Sequence, residues 1–454
     1  MLEVIILAAG QGSRMRSPLP KVLHCLAGKP LVQHVIDLAR ALNPAQIHVV
    51  VGHEAAQVSA AIAASDVQCH EQTEQLGTGH AVSVALPAVS DSATVLVLYG
   101  DVPLIGETTL RSLVDAAETG FALLSAVLSD PTGYGRVQRD ASGAFVAVVE
   151  EKDADAVTRA VSEVNTGVLA GPALQMKQCL AQVTNNNAQG EYYLPDALKV
   201  AVSAGEPVSV MSTDDAGSVQ GVNDLRQLHQ LERQLQVNQA EQLLLSGVSV
   251  ADTARLDIRG QLTCGVGVSI DVGCVFEGTV VLGDGVSIGP HCVIRDAEIG
   301  PGARVEAFCH IEGAQLGTAV AAGPYARLRP GAALDTGSKI GNFVEVKNAR
   351  LGAGAKANHL AYIGDADIGA DSNIGAGTIT CNYDGAHKHR TELGDNVFIG
   401  SNSTLVAPVV IEAGAFVAAG STITEAVASE QLAVGRSRQR NIDGWLRPTK
   451  PVKD

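Results

Sequence analysis

Apolar residues follow two different rhythms along this chain, and the rhythm changes near residue 250. Up to about residue 222, strand-length apolar runs alternate with helical stretches. Val4 to Leu7, Ile47 to Val51, Thr94 to Tyr99 and Leu123 to Leu128 read as buried strands, which predicts an α/β domain with a mainly parallel sheet. Two of them run into loops rich in glycine or acid, Gly10-Gln11-Gly12-Ser13-Arg14 and Gly100-Asp101-Val102-Pro103. Ligands of open α/β sheets bind beyond the carboxyl ends of strands, so these loops mark the expected site.

Asn223 or Asp224 then caps a predicted helix carrying Leu225, Leu228, Leu231, Leu235, Leu243 and Leu244, and Gly247 stops it. Such a helix is long enough to connect two domains. From about 251 to 434 the period becomes six. Ile258, Cys264, Ile270, Phe276, Leu282, Ile288 and Ile294 fall six apart, one step shortens to five at Ile299, and the register returns as Leu328, Leu334, Ile340 and Val346. A last run carries Leu393, Ile399, Leu405, Ile411, Val417 and Ile423. A hexapeptide repeat of this kind predicts a parallel β-helix of about ten 18-residue coils. Cys274, Cys292 and Cys309 should then stack in one column, and Arg329 should lie one coil from Lys347. The repeat breaks between Thr380 and Leu393, where a loop leaves the prism. Domain bounds of 1–222, 223–250 (a helical linker) and 251–454 follow.

Composition sharpens this division. The chain has 454 residues, 48 of them Gly, but only 7 Phe, 7 Tyr and 1 Trp. Most of that glycine belongs to the repeat, and a narrow prism has little room for rings. A net charge of −16 argues against a general nucleic-acid or membrane-surface binder, so an anionic substrate must meet a local basic pocket. No apolar run has membrane-spanning length, and the first residues do not read as a signal peptide. A cytoplasmic protein is expected. Its eight cysteines form no CxxC pair and are expected to be reduced.

Two front loops carry candidate chemistry. The glycines let backbone N–H groups approach phosphate oxygens, while Arg14 and Lys21 neutralise phosphate charge. The loop is neither a P-loop nor a dinucleotide fingerprint, since Met15 stands where the third glycine would. Asp101 at a strand end suits Mg2+ held by one carboxylate, an amide oxygen and phosphates. From Arg436 onward six cations face Asp443 and Asp454, a basic tail on an acidic chain.

The motifs Leu7-Ala8-Ala9-Gly10-x-Gly12-Ser13-Arg14-Met15, Gln75-Leu76-Gly77-Thr78-Gly79-His80, Tyr99-Gly100-Asp101-Val102-Pro103, Arg327-Leu328-Arg329-Pro330-Gly331 and Asn373 to Gly385 are highly specific. With them the whole chain closely resembles the bacterial bifunctional N-acetylglucosamine-1-phosphate uridyltransferases and glucosamine-1-phosphate N-acetyltransferases. The resemblance implies a Rossmann-like nucleotidyltransferase domain and a left-handed β-helix. It implies that Leu7, Ala8, Ala9, Gly10, Gln72, Gly77 and Thr78 hold the uridine nucleotide, with Arg14 and Lys21 on its phosphates and Tyr99 and Gly100 in the combined nucleotide and sugar site. Gly135, Glu150 and Asn165 would hold the acetylated sugar, and Asp101 with Asn223 would bind Mg2+. Gln11 departs from the family, where many relatives carry Lys.

In the prism the resemblance makes His359 the base for acetyl transfer. It places Arg329, Lys347, Tyr362 and Asn373 on the sugar phosphate, and Ala376, Asn382, Tyr383, Ser401, Ala419 and Arg436 on acetyl-CoA. A homotrimer, with a site formed between prisms, is implied as well. The competing expectation is a single-activity sugar-1-phosphate nucleotidyltransferase whose β-helix serves only for oligomerisation.

Overall fold

The computed structural model describes residues 1–450, so Lys453 and Asp454 of the basic tail lie outside the described residues. The chain divides into two compact units, Met1–Leu235 and Gln236–Asp454.

The first unit is built on one sheet. Its path strands are β1 (Leu2–Ala8), β2 (Gln46–Val51), β3 (Val67–Glu71), β4 (Thr94–Tyr99), β5 (Phe121–Val127), β6 (Glu163–Pro172) and β7 (Val208–Thr213), in the order β7-β5-β6-β4-β1-β2-β3. Every neighbour pair is parallel except β6, which runs antiparallel to both β4 and β5. A hairpin, Arg136–Arg139 with Phe145–Val149, adds to β6 off this path. The all-apolar strands are explained by apolar layers on both faces of the sheet, one around Val4, Ile6, Leu96 and Leu98 and the other around Ile5, Val95, Val97 and Leu123. From β1 the chain moves to β2 and β3 on one side, then returns to place β4 on the other. The crevice therefore opens at the carboxyl ends of β1 and β4, where Gly10 and Asp101 lie.

The predicted helix spans Leu225–Leu245. Asp224 Oδ1 accepts the Gln227 N–H at 2.8 Å, so Asp224 is the capping residue of the two candidates. Gly247, with φ of 92°, ends the helix as its N–H and that of Val248 return to the carbonyls of Leu244 and Leu243. Leu228, Leu231 and Leu235 pack in the first unit with Met15, Leu26 and Val222. In the second unit the side chain of Gln236, fully buried, hydrogen-bonds both the N–H (2.7 Å) and the carbonyl (3.0 Å) of Ile258. It thus satisfies the open edge of the first long strand of the prism, Leu256–Cys264, which otherwise would present orphan backbone groups.

The second unit is a parallel β-helix. One face stacks eleven short strands, and the other two faces share a sheet of sixteen. The aliphatic residues of the repeat form a continuous core from Ile258 to Ile423. Cys274, Cys292 and Cys309 are buried free thiols in one column, as the register expects. The uniform 18-residue coil needs correction. Ile288 stacks on Ile270, eighteen residues away, but Val305 stacks on Ile288 and Ala322 on Val305, each seventeen away. The missing residue is lost at one corner, where Ile294 is followed by Ile299, Ile311 by Leu316, Val346 by Leu351 and Ile363 by Ile368. Asp296, Gly313, Asn348 and Asp365 turn these tight corners with φ between 45° and 55°, a conformation open to Gly, Asn and Asp.

Candidate active sites

In the first unit a cavity of about 600 Å³ lies at the β1/β4 crevice. Leu7, Ala8, Ala9, Gly10, Arg14, Lys21, Gln72, Gly77, Thr78, Tyr99, Asp101 and Asn223 all line it. An adjoining cavity of about 260 Å³ shares Thr78, Tyr99, Gly133 and Glu191 with it and adds Gly135, Glu150 and Asn165. The nucleotide and sugar sets expected from the sequence are therefore contiguous, while Gly100 sits at the strand end between them and Leu7, its N–H donating to the Leu7 carbonyl.

Glycine is needed here for two distinct reasons. Gly10 faces open space, leaving its backbone accessible, whereas Gly12 has φ of 63° and a Cβ there would stand 2.5 Å from Cβ of Lys21. Gly12 thus lets Lys21 come under the loop. The Lys21 ammonium is bound to Asp101 Oδ2 and lies 3.4 Å from Asn223 Oδ1, which also accepts from Arg14 at 3.0 Å. Two hard oxygen donors thus converge on one cationic position. Among the described residues no cluster of three His, Cys, Asp or Glu could hold a metal. The Asp101–Asn223 pair fits an ion that takes its remaining ligands from water and phosphate, as Mg2+ does.

Around the smaller cavity, Asn165 Oδ1 accepts the Gly167 N–H at 2.8 Å, and the Asn165 N–H donates to the Gly135 carbonyl at 2.8 Å. Burial, reinforced by Asp196, Asp153 and Glu191 and opposed by Arg136, holds the Glu150 carboxyl above the usual range. Burial also pushes the Tyr99 phenol up from its ordinary value.

The prism carries its candidate residues on two successive corners. Along the first, Leu360 bonds back to Asn342, Gly377 to Leu360, Asn402 to Ala376 and Gly420 to Ser401. His359, Ala376 and Ser401 therefore lie in one column, which Ala419 continues beside Gly420, whose Cβ position is 3.9 Å from Arg436. Asn342 Oδ1 is 2.7 Å from His359 Nδ1. With that carbonyl as acceptor, Nδ1 carries the hydrogen and Nε2 keeps its lone pair. His359 borders a groove of about 530 Å³ together with Tyr325, Lys339, Asn342 and Phe343.

Toward the second corner, Arg329 and Lys347 lie one coil apart, because Leu328 pairs with Val346. Lys347 pairs in turn with Gly364, where a Cβ would strike the ring of Tyr362. Tyr362 therefore folds over Gly364, beside Lys347. The loop that leaves the prism returns Lys388 to the same place, and its charge, with that of Arg329, holds the Lys347 ammonium below its usual pKa. Three cations thus converge on one surface, where Glu345 pairs with Arg329 at 2.8 Å. Asn382 and Tyr383 begin that loop. Asn373 lies on the stacked face, paired with Lys356 and Phe398. The groove that His359 borders is not lined by Arg329, Lys347 or Lys388.

Lys388 and Asn342 are the residues that motif reading passed over. Lys388 stands in the repeat-breaking loop, and Asn342 lies seventeen residues before His359, a relationship visible only with the shorter coil.

A model of the MobA-like NTP transferase domain matches residues 4–235, and one of the bacterial transferase hexapeptide (six repeats) matches residues 390–425. The bifunctional protein GlmU of Pseudomonas entomophila is 55% identical over 453 residues, covering 100% of this chain and 99% of its own. Those of Burkholderia vietnamiensis and Paraburkholderia xenovorans are each 56% identical over 450 residues, covering 99% of both chains. With one match to each unit and relatives that span both, this chain belongs to the family of bifunctional GlmU proteins and is a transferase enzyme with a nucleotidyltransferase and an acyltransferase activity.

Proposed function

We propose that the prism acetylates glucosamine-1-phosphate with acetyl-CoA, and that the first unit transfers uridyl from UTP to the resulting N-acetylglucosamine-1-phosphate in an Mg2+-dependent reaction. The domains are 1–222 for uridyl transfer, 223–250 as linker and 251–454 for acetyl transfer. The observation that carries the two-site reading is the Asn342-fixed His359 at the head of the Ala376–Ser401–Ala419 column. A module serving only to oligomerise has no use for a histidine held in one tautomer.

In acetyl transfer the substrate ammonium first loses one proton to solvent. The freed amine attacks the thioester carbonyl carbon while Nε2 of His359 takes a second proton from its nitrogen, the C–N bond forms, the C–S bond breaks, and the CoA thiolate leaves and recovers that second proton. Arg329, Lys347 and Lys388 hold the sugar phosphate, with Tyr362 and Asn373 on the sugar. Ala376, Ser401, Ala419 and Arg436 line the path of CoA, and Asn382 and Tyr383 approach the thioester.

In uridyl transfer a phosphate oxygen of the sugar phosphate attacks the α-phosphorus of UTP in line, and pyrophosphate leaves. The nucleophile is already an anion, so alignment and charge neutralisation carry the catalysis. Gln72, Gly77 and Thr78 hold the base, Arg14 and Lys21 the phosphates, and Gly135, Glu150 and Asn165 the sugar. Mg2+ on Asp101 and Asn223 would neutralise charge on the phosphates.

The split between the two corners of one prism supports a homotrimer in which neighbouring prisms complete each acetyl-transfer site. Eight free cysteines are in keeping with a reducing, cytoplasmic location. Among the described residues no helix is long and apolar enough to cross a membrane. The test is the complete chain with glucosamine-1-phosphate, acetyl-CoA, UTP and Mg2+, which should release CoA and pyrophosphate and form UDP-N-acetylglucosamine. His359→Ala should release no CoA yet still uridylate supplied N-acetylglucosamine-1-phosphate; retention of acetyl transfer would overturn the reading.

A further inference from the structure

The loop that leaves the prism has its ends tied to one residue. Asn348, Asp365 and Asn382 occupy the same corner at intervals of seventeen residues, and Asp365 stands between the two amides. Its Oδ1 accepts from Asn348 Nδ2 at 2.5 Å and its Oδ2 accepts from Asn382 Nδ2. Asp365 is 7% exposed and Asn382 8%, so neither pairing is a solvated surface contact. The main chain of Asp365 adds a third tie, because its carbonyl accepts the Thr391 N–H at 3.1 Å. Asn382 opens the excursion and Thr391 is where the regular strand resumes. One residue therefore clamps both ends of the loop, by side chain at its start and by backbone at its close.

The carboxylate also has the right charge for its place. Burial alone would raise its pKa, but the bonds from Asn348 and Asn382, with Lys388 and Lys347 nearby, keep it below the usual carboxylate range. It remains an anion beneath the cations of the second corner. Because the side-chain nitrogen of Asn382 is committed to this carboxylate, its side-chain oxygen Oδ1 is the end turned away from Asp365. Within the loop, Asp384 Oδ1 accepts from the Ala386 and His387 N–H groups, and His389 N–H donates to the main-chain carbonyl of Asn382 at 2.8 Å. These shape the loop itself, and Arg390 near its close also pairs with Asp367 of the prism at 3.6 Å.

We infer that Asp365 is a positioning residue for acetyl transfer, an ionic clamp that holds Asn382 and Lys388 in their working places without itself touching substrate. The inference rests on the acetyl-transfer site proposed above. An amide at 365 would turn a donor toward one of two amide donors and remove the charge beneath Lys347 and Lys388.

Hydrogen exchange of the complete chain reads the clamp without reference to activity. In Asp365→Asn the amides of His389 and Thr391 should exchange about tenfold faster, the scale of losing a hydrogen bond to a charged group. KM for glucosamine-1-phosphate should rise by about the same factor while uridyl transfer is unchanged. The double variant Asp365→Asn with Asn382→Asp restores a carboxylate–amide pair and should restore the exchange protection. Unchanged exchange and KM in Asp365→Asn would overturn the inference, as would faster exchange with an unchanged KM. Lys347→Ala and Lys388→Ala test the underlying site separately: if neither alters acetyl transfer, that reading fails and the role of Asp365 in it fails too, whatever the exchange at the loop.

Discussion

The side-chain carbonyl of Asn342 lies 2.7 Å from Nδ1 of His359, in adjacent coils and in direct register. The preceding coil of the prism therefore fixes which nitrogen of the histidine keeps its lone pair. In Asn342→Asp a carboxylate replaces the neutral acceptor and favours the imidazolium, so the acid limb of the kcat/KM profile for acetyl transfer should move to higher pH. Asn342→Ala should lower kcat by about tenfold, less than the roughly hundredfold or greater loss expected on removing a general base outright, and leave uridyl transfer alone. A profile unmoved by Asn342→Asp would show that the contact does not reach the base.

Asp101 and Lys21 neutralise each other at the other site. Asp101→Ala should reduce uridyl transfer by about a hundredfold to a thousandfold, the scale of losing one electrostatic group at a transition state. Acetyl transfer is the internal control. Equal loss of both activities would indicate misfolding.

Gly12 combines a left-handed backbone with the approach of Lys21. Gly12→Ala should cost about 1 to 2 kcal/mol from the backbone alone. Lys21 must also withdraw, so uridyl transfer should fall together with the melting temperature of the first unit. Thermal unfolding and initial rates measured on the same preparation check both.

The raised pKa of Glu150 has a definite sign in stability. A carboxyl whose folded value exceeds its ordinary 4.5 contributes stability that is full below that value and is lost as pH rises through the folded value. Glu150→Gln does not titrate. The variant should melt higher than the parent at neutral pH, with the gap narrowing as pH falls through the folded value and closed below about 4.5. A gap independent of pH would point to packing instead. Sugar binding should weaken, since an amide replaces the carboxylate in the pocket.

Much of the architecture was legible because its signals are periodic. The six-residue rhythm revealed the prism, the cysteine column and the Arg329–Lys347 step, and the loops after β1 and β4 led to the first cavity. The shorter coils were less legible, since a five-residue step at an Asp or Asn corner looks like a lapse in the pattern rather than a rule. Missing that rule hid Asn342 behind His359 and Asp365 beneath Asn382. Lys388 was obscured for another reason: nothing in a loop's composition says where its tip returns.

Gln236 and the second half of the long helix cover the first coil of the prism. In a solenoid each coil contacts only its neighbours, so an uncovered terminal coil is an adhesive end. A fragment beginning at residue 251 would expose the backbone of Ile258 and invite end-to-end polymerisation, whereas one beginning at Asp224 would carry its own stopper. The helix that the sequence presents as a spacer is thus also the device that keeps a repeating structure finite.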